Sequence, residues 1–554
     1  MEDKRQNKRR KKAGKYRGDS KSSRTNRDYT STRESDTNDP NWYTTSDQML
    51  KDYASFSYVW PLGTPIQLDT NSTTTGTLNS NKWYVPGICS IKMMPSLGTS
   101  SDANSPANLA MRNLMTQVRQ ANSGASSNYD ANDLMMYVLA AGEAYSFHGW
   151  MTRLYSLIRS AAVTNRYFPK ALVEANGVNF EDLNGALANF RAYINQFAIQ
   201  CNQLYVPKGM NYFDRKAWMY ANYFIDSDSP KAQIYQFVPY GFWRFNAIYT
   251  EDVYTGGRLE SFAINALSSS LTLSQIKTIG DTIIQPLITN QDIGIMAGDL
   301  QKAFGLENRI LLGQISEDFM VVPTKDMNVL SQIQNARAFG IINQSSGNCY
   351  VYSDVTQDNA VGKGTLVSHT ILTNADNLIG EQQSILAGGA IVNQPFESPT
   401  PGDTVEATRL IGLLSNQSTT AYVYNPSTKT VTSQSGLAIS DAGTEVVVSF
   451  EISTLSTNGG VSKIDINSVP TCTVNTSAGP ATITSVETML KQLCAISAFD
   501  FAPALMPIVS TISGSTFADY AEGFILDFNT YAVIQPLDIA NLHTMALMGL
   551  FNVK

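Results

Sequence analysis

Histidine is almost missing: His148, His369 and His543 are the three in 554 residues, far apart and beside no other ligand-type cluster. A metal centre or a nucleophile–histidine pair needs such groups together, so each reads as a core or surface histidine. Five cysteines (Cys89, Cys201, Cys349, Cys472, Cys494) are scattered without close pairs, which excludes a zinc ribbon and argues against a disulfide framework. Charge is sparse as well, at 16%, while Ser, Thr, Asn and Gln are abundant. Such a surface suits packing against copies of itself better than mutual repulsion. No run of about eighteen apolar residues occurs, so no membrane span is expected. No apolar core follows the N-terminal charges, so no signal peptide is expected, and an intracellular, reducing setting fits. The sequons at Asn71, Asn343, Asn416 and Asn475 then read as chance.

Catalytic motifs are lacking too. The string nearest a phosphate-binding loop, GKG at 362–364, has neither the preceding glycine nor the following Ser or Thr that phosphate and Mg²⁺ require. There is no G-x-S-x-G elbow and no H-E-x-x-H. Asp226 and Asp228 in IDSDSP have the look of a metal or acid–base pair, but a Ser/Asp turn before proline accounts for them. No catalytic residue, metal ligand or cofactor is therefore expected.

What is present is a long apolar helix. In DLMMYVLAAGEAYSFHGWMTRLYSLIRSAA (133–162), Leu134, Val138, Ala141, Tyr145, Met151, Leu154 and Ile158 keep near one helical stripe. Asp130 can cap it. Tyr137, Phe147, Trp150, Tyr155 and Leu157 fill the other faces. A helix apolar almost all round is buried, so this is the expected core element. At 554 residues, 43% hydrophobic, the chain can bury a large core and should form two or more domains.

Helices are expected from Pro106 to about Asn122, from Pro169 to Gly177, over 180–204, and at 272–288 and 292–304. Met210–Asn246 is dense in Tyr, Phe and Trp with single charges between. From Gly347 to Thr482 the chain turns to Thr, Ser, Val, Gly and Asn, with alternating runs such as CYVYSDV and TEVVVSFEIS separated by NPSTK and STNGG turns. It reads as a β-rich insertion. Helix returns with a capping pattern at Thr484–Glu487 and ends in PLDIANLHTMALMGLF.

The net charge of −7 conceals an asymmetry. Lys4, Arg5, Lys8, Arg9, Arg10, Lys11, Lys12, Lys15, Arg17, Lys21, Arg24 and Arg27 outweigh three acidic residues, leaving +9 on residues 1–27 and −16 on the remainder. Residues 1–41 offer too little apolar surface to offset ordering and are expected to be disordered. A flexible basic arm suits non-specific contact with a nucleic-acid backbone, and Tyr16 could stack on a base. A nuclear localisation signal, suggested by KRRKK, or a merely solubilising tail are the other readings.

Three stretches resemble picobirnavirus capsid proteins: DLMMYVLAAGEAYSFHGWMTRLYSL (133–157), DRKAWMYANYFIDSDSPKAQIYQFVPYGFWRFN (214–246), and AISAFDFAPAL with FILDFNTYAVIQPLDIANLHTMALMGLF within 495–551. Partitivirus coats share a similar helix-rich design. The resemblance implies an α+β fold: a predominantly helical shell domain, a β-rich protruding domain and a disordered basic arm. The expected map is arm 1–41, shell 42–340, protrusion 341–483, and a helical segment 484–554 returning to the shell. It further implies homodimers, sixty to a closed icosahedral shell, around a segmented double-stranded RNA genome. The polymerase is expected inside, with assembly in the host-cell cytoplasm and residence in the virion. The host receptor is not indicated. Two rival readings are a non-capsid RNA-binding protein using the aromatic segment as a stacking platform, and an enzyme whose pocket gathers Asp226, Asp228 and a histidine.

Overall fold

The computed structural model describes residues 46–552, apart from 59, 61, 65, 68–81, 99, 123–128, 161–166, 251–252, 341–347, 359–363, 379, 456–459, 467, 476–482 and 514–515. The chain forms two compact units, Met1–Trp60 and Pro61–Lys554. In the first, helix α1 (Asp47–Ala54) starts at Ser46, whose hydroxyl accepts the Met49 N–H.

The second unit opens with short strands β1 (Ile66–Gln67) and β2 (Lys82–Trp83), then β3 (Ile88–Pro95). Helices follow: α2 (Pro106–Ala121), α3 (Ala131–Arg159), α4 (Tyr167–Glu174), α5 (Phe180–Gly185), α6 (Leu187–Cys201) and α7 (Asn211–Met219). The aromatic segment continues as β4 (Phe224–Ile225), β5 (Ile234–Pro239) and β6 (Gly241–Thr250), with β7 (Val253–Ala263) beyond. Then come α8 (Leu273–Ile288), α9 (Gln291–Phe304) and α10 (Met327–Gln334). The Thr/Ser-rich stretch holds β8 (Val351–Asp358), β9 (Thr365–Leu372), α11 (Gly380–Ala387), β10 (Ala390–Gln394), α12 (Pro401–Ala407), β11 (Leu413–Asn425), β12 (Thr430–Ser440), β13 (Glu445–Leu455), β14 (Val461–Ile466) and β15 (Thr471–Asn475). The chain closes with α13 (Ile483–Ile496), β16 (Ile508–Ser513), β17 (Thr516–Ala521), β18 (Thr530–Ile534) and α14 (Pro536–Leu550).

Helix α3 is the core element expected from its composition. Every residue from Asn132 to Ile158 is buried. The Asp133 carboxylate bends back to accept the Asp130 N–H at 3.2 Å, closing the first turn. Two glycines let α7 approach it: a Cβ at Gly142 would lie 2.8 Å from the Tyr212 ring, and one at Gly149 only 2.6 Å from the Ala217 carbonyl. The one charge deep in its second half, Arg153, donates to the carbonyls of Asn222 and Phe237 and to Asn176 Oδ1 at 2.7–2.9 Å. Burial lowers its pKa to about 9.

Other expectations shift. The helix read over 180–204 is two, broken at Ala186 (φ −118°, ψ 28°). The short α5 is instead tethered to α8 through Asp182, whose carboxylate accepts the Leu273 N–H at 2.7 Å. Helix α13 begins at Ile483, so Thr484 lies within it rather than capping it. The C-terminal stretch contains β16, β17 and β18 as well as helices, because IVSTIS, TFADYA and TYAVI are β-branched and aromatic runs.

Strands of the Thr/Ser-rich stretch pair with strands far earlier in the chain. One sheet runs β14-β13-β3-β5-β4, and another runs β11-β12-β9-β8-β7-β6. Val423 of β11 also pairs with Ser261 of β7, which closes β7, β8, β9, β12 and β11 into a ring. The buried Asp354 carboxylate seals it, lying 2.7 Å from His369 Nδ1 and accepting the Tyr422 N–H at 2.8 Å. Strand β13 is buried along its whole length between β3 and β14, which is why EVVVSFEISTL reads as a nearly continuous apolar run.

Leu154 is fully buried on α3. Leu154→Ala is expected to cost about 2–5 kcal/mol in denaturant unfolding, and Leu154→Asp to prevent assembly by burying an unpaired charge. Normal particles from the Asp variant in electron microscopy would contradict this placement.

Candidate functional site

The twelve basic residues read as an RNA-binding arm, Lys4 to Arg27, lie outside the described residues, as does all of 1–41. The aromatic segment is a different matter. Tyr212, Phe213, Tyr235, Phe242, Trp243 and Phe245 are buried. Their rings pack edge to face, as in Tyr212–Phe213 at 5.5 Å and Phe147–Phe242 at 5.6 Å. No base can stack on these rings, which corrects the reading of the segment as a platform.

Two of its charges, Arg215 and Lys216, serve the interior. Lys216 Nζ lies 3.0 Å from Glu143 Oε1 on α3 and 3.4 Å from Glu445 Oε1 at the start of β13, all three side chains at most 2% exposed. Arg215 holds Glu445 Oε2 at 2.9 Å, and Thr444 Oγ1 donates to the same atom at 2.6 Å. Glu143 Oε2 accepts the Trp243 N–H at 3.3 Å. Neither carboxylate oxygen facing Lys216 has hydrogen-bond geometry, so these two contacts are charge pairing. Burial pushes Glu143 up despite Lys216 beside it. Burial acts the same way on Glu445, but Arg215 and Lys216 hold it below the usual carboxylate range. Burial opposes the Lys216 charge, and the surrounding carboxylates, Glu143 foremost, outweigh it. The cluster joins α3, α7, β6 and β13.

The histidines and aspartates do not meet as a reactive centre. His148 is buried, its Nε2 bonds to nothing, and burial lowers it to about 4. His543 Nε2 donates to the Ile411 carbonyl at 2.7 Å, and burial, then Arg409, lower it to about 3. Asp226 Oδ1 accepts the Gln233 N–H at 3.0 Å, closing a turn, while Asp228 is exposed. Among the described residues no three His, Cys, Asp or Glu converge as a metal site, and no helix is long and apolar enough to cross a membrane. No disulfide forms among the described residues, and Cys494 is the exposed cysteine.

The surface instead carries apolar strips. An extended strap, residues 309–324, exposes Leu311, Met320 and Val322, and Leu306, Ile199 of α6 and Ile295 of α9 are exposed as well. It is held by side chains acting as a strand. Asn202 accepts the Leu312 N–H and donates to its carbonyl, both at 2.9 Å, and Asn195 does the same with Ile315 at 2.8 and 3.2 Å. Ser156 Oγ accepts the Val321 N–H at 2.7 Å. A second strip lies at β10 and β18, with Ile391, Phe528, Tyr531 and Val533 exposed. Sequence reasoning missed both strips and the charge cluster. The seven-residue spacing of Asn195 and Asn202, two turns apart on one stripe of α6, was the available sign of the first.

Exposed apolar strips around a large core suit a structural protein that meets other protein surfaces, and the comparisons agree. Residues 42–534 match the family model described as "Picobirnavirus, Capsid protein". The capsid protein precursor of human picobirnavirus (strain Human/Thailand/Hy005102/-) is 28% identical over 537 residues, 95% of this chain and 92% of that one. The crystal structure of the picobirnavirus capsid superposes with a TM-score of 0.70 at 22% identity, covering 93% of this chain and 98% of that one. The class is therefore a viral coat protein. The chain belongs to the picobirnavirus capsid protein family, with a mixed α+β fold, a structural role in the virion and self-association into a shell.

Lys216→Ala is expected to cost about 3–5 kcal/mol in denaturant unfolding, because two buried carboxylates lose their shared cation. Lys216→Met with Glu143→Met is expected to recover much of that loss, and equal costs for the single and double variants would argue against coupling. The histidines set a second expectation. The folded pKa values of His148 and His543 lie below the unfolded value of about 6.5, so the stability these two contribute is complete above that pH and is lost as pH falls. Between pH 6.5 and 5 the loss is about 2 kcal/mol for each of His148 and His543. Denaturant midpoints across that window should flatten in His148→Gln, His543→Gln double variants.

Proposed function

We propose that the protein assembles as two-fold symmetric dimers into a closed icosahedral shell around segmented double-stranded RNA, and that its basic N-terminal arm contacts that RNA without reading sequence. The observation that carries the RNA contact is the charge asymmetry: +9 on residues 1–27 against −16 on the rest. On a coat protein the natural polyanion for such an arm is the genome, and counterion release needs only unpaired cations in reach of phosphate. The rival reading as a non-capsid RNA-binding protein loses support because the aromatic rings it needs are buried.

The arms neutralise only part of a genome. About 120 copies at +9 supply about 1,080 charges, enough for about 540 base pairs at two phosphates each. A genome coding for this chain and a polymerase is several times longer, so mobile cations do the rest and the RNA is retained without tight condensation. In this reading the polymerase is enclosed with the RNA, assembly takes place in the host cytoplasm, and no catalytic step belongs to the chain. The helical portion forms the shell and the β-rich stretch 341–483 protrudes. Because β8, β9 and β11 to β14 share sheets with β3 and β5 to β7, any protrusion is rooted in the shell's own sheets.

Deleting residues 1–41 is expected to leave closed particles in electron microscopy while the 260/280 absorbance ratio after nuclease treatment falls. Particles with unchanged protected RNA would remove the arm from the mechanism. Loss of all particles would assign the segment to assembly instead.

A further inference from the structure

The two-stranded sheet of β10 and β18 has one edge closed and one open. Its register pairs Ala390 with Ile534, Ile391 with Val533, Val392 with Ala532 and Asn393 with Tyr531. On the β10 side, Asn335 clasps the backbone of Asn393, its amide donating to the Asn393 carbonyl and its oxygen accepting the Asn393 N–H, both at 2.7 Å. The backbone polar groups of Asn393 therefore point away from β18. In an antiparallel ladder the two residues of such a non-hydrogen-bonded pair both point outward, and the pattern alternates. Tyr531 and Val533 thus direct their N–H and C=O groups to the far edge of β18, while Ala532 bonds to Val392. Among the described residues no group bonds to the Tyr531 or Val533 backbone on that edge.

The edge is also apolar. Tyr531 is 58% and Val533 67% exposed, with Phe528 and Leu537 exposed nearby. TYAVI contains none of the lysines, prolines or inward charges with which soluble proteins blunt an open edge. A strand left unprotected on a self-associating coat protein is one that its own assembly covers.

We propose that β18 pairs antiparallel with β18 of a second copy, about a two-fold axis at Ala532, joining two β10–β18 sheets into one of four strands. This deepens the dimer reading above and rests on it. The register follows from which groups are free. Centred on Ala532, Tyr531 of each copy faces Val533 of the other, and the two outward residues of each strand exchange N–H···O=C bonds, four in all. A centre at Tyr531 would call on Asn529, whose N–H already donates to Asn393 Oδ1 at 3.0 Å. A centre at Val533 would call on Gln535, whose carbonyl already accepts the Ile539 N–H of α14. The Ala532 register alone uses unengaged groups on both copies, and it sets an aromatic beside a β-branched residue on each side of the axis. A stable interface buries about 1,000 Å² or more, and the exposed Ile391, Phe528 and Leu537 extend the contact beyond the ladder.

Hydrogen exchange with mass spectrometry on full-length particles tests this without any variant. The Tyr531 and Val533 amides are expected to be protected in particles and to exchange fast once particles are dissociated to monomers. Fast exchange in intact particles, or protection that persists in monomers through another segment of the same chain, would overturn the proposal while leaving self-association standing. Wild-type protein that never associates under any salt or pH would overturn both. Two variants sharpen the register. Ala532→Cys in a Cys494→Ser background should form a symmetric disulfide on oxidation, since non-hydrogen-bonded partners lie about 4.5 Å apart at Cα, within disulfide reach. Val533→Pro removes an N–H that the monomer does not use, so dimerisation should weaken tenfold or more with the monomer's circular dichroism unchanged. Particles of the cysteine variant that stay monomeric on a non-reducing gel would refute the axis at Ala532.

Discussion

Everything else in the larger unit is arranged by the burial of α3 on all its faces. A helix in that position has no water to satisfy its polar side chains, and most of them are met by a neighbour held at fixed distance, His148 Nε2 being an exception. Ser146 donates to the Lys216 carbonyl, Trp150 Nε1 to Asn176 Oδ1, and Arg153 to Asn176 and two backbone carbonyls. Glu143 meets Lys216, which in turn meets Glu445 at the head of the buried β13. The packing of α7 and the anchoring of β13 therefore share one constraint. Buried ionic groups are weak evidence of net stability, and their use here is to specify which strand and which helix lie against α3.

A second device recurs at four places where a backbone segment has no strand beside it. Asparagine supplies one donor and one acceptor side by side, the same pair a peptide unit offers. Asn108 pairs in this way with Leu366, Asn195 with Ile315, Asn202 with Leu312 and Asn335 with Asn393. Each closes an edge or pins an extended strap without adding a strand. The abundance of asparagine has a structural use beyond solubility, and the clasped edge of β10 makes the open edge of β18 stand out against it.

Helix α3 was legible because its apolar residues leave no polar face, and α2 because Pro106 opens it; α8 and α9 fall within a residue of the ranges expected for them. The resemblance carried by 133–157, 214–246 and 495–551 was sound as to family. The break at Ala186 was not legible, since Leu183, Leu187 and Phe190 keep one stripe across it and only the tether from Asp182 to Leu273 shows that α5 is separately held. The aromatic segment was legible as distinctive and not as buried: ring density describes a core and a stacking surface equally well, and only exposure separates them.

By itself the sequence determined where apolar surface is dense enough to need burial, which stretches alternate as strands, and where charge of one sign is segregated, because these depend on local composition and spacing. Strand partners depend on which distant segments complete one another's hydrogen bonds. Nothing in EVVVSFEISTL names ICSIKMMP as its neighbour, although Glu445 to Ser453 pair with Ile88 to Pro95 across more than 300 residues. The tertiary structure alone decided that pairing, the meeting of Glu143, Lys216 and Glu445, and the open edge at Tyr531 and Val533, since each arises only when segments remote in the chain come within bonding distance.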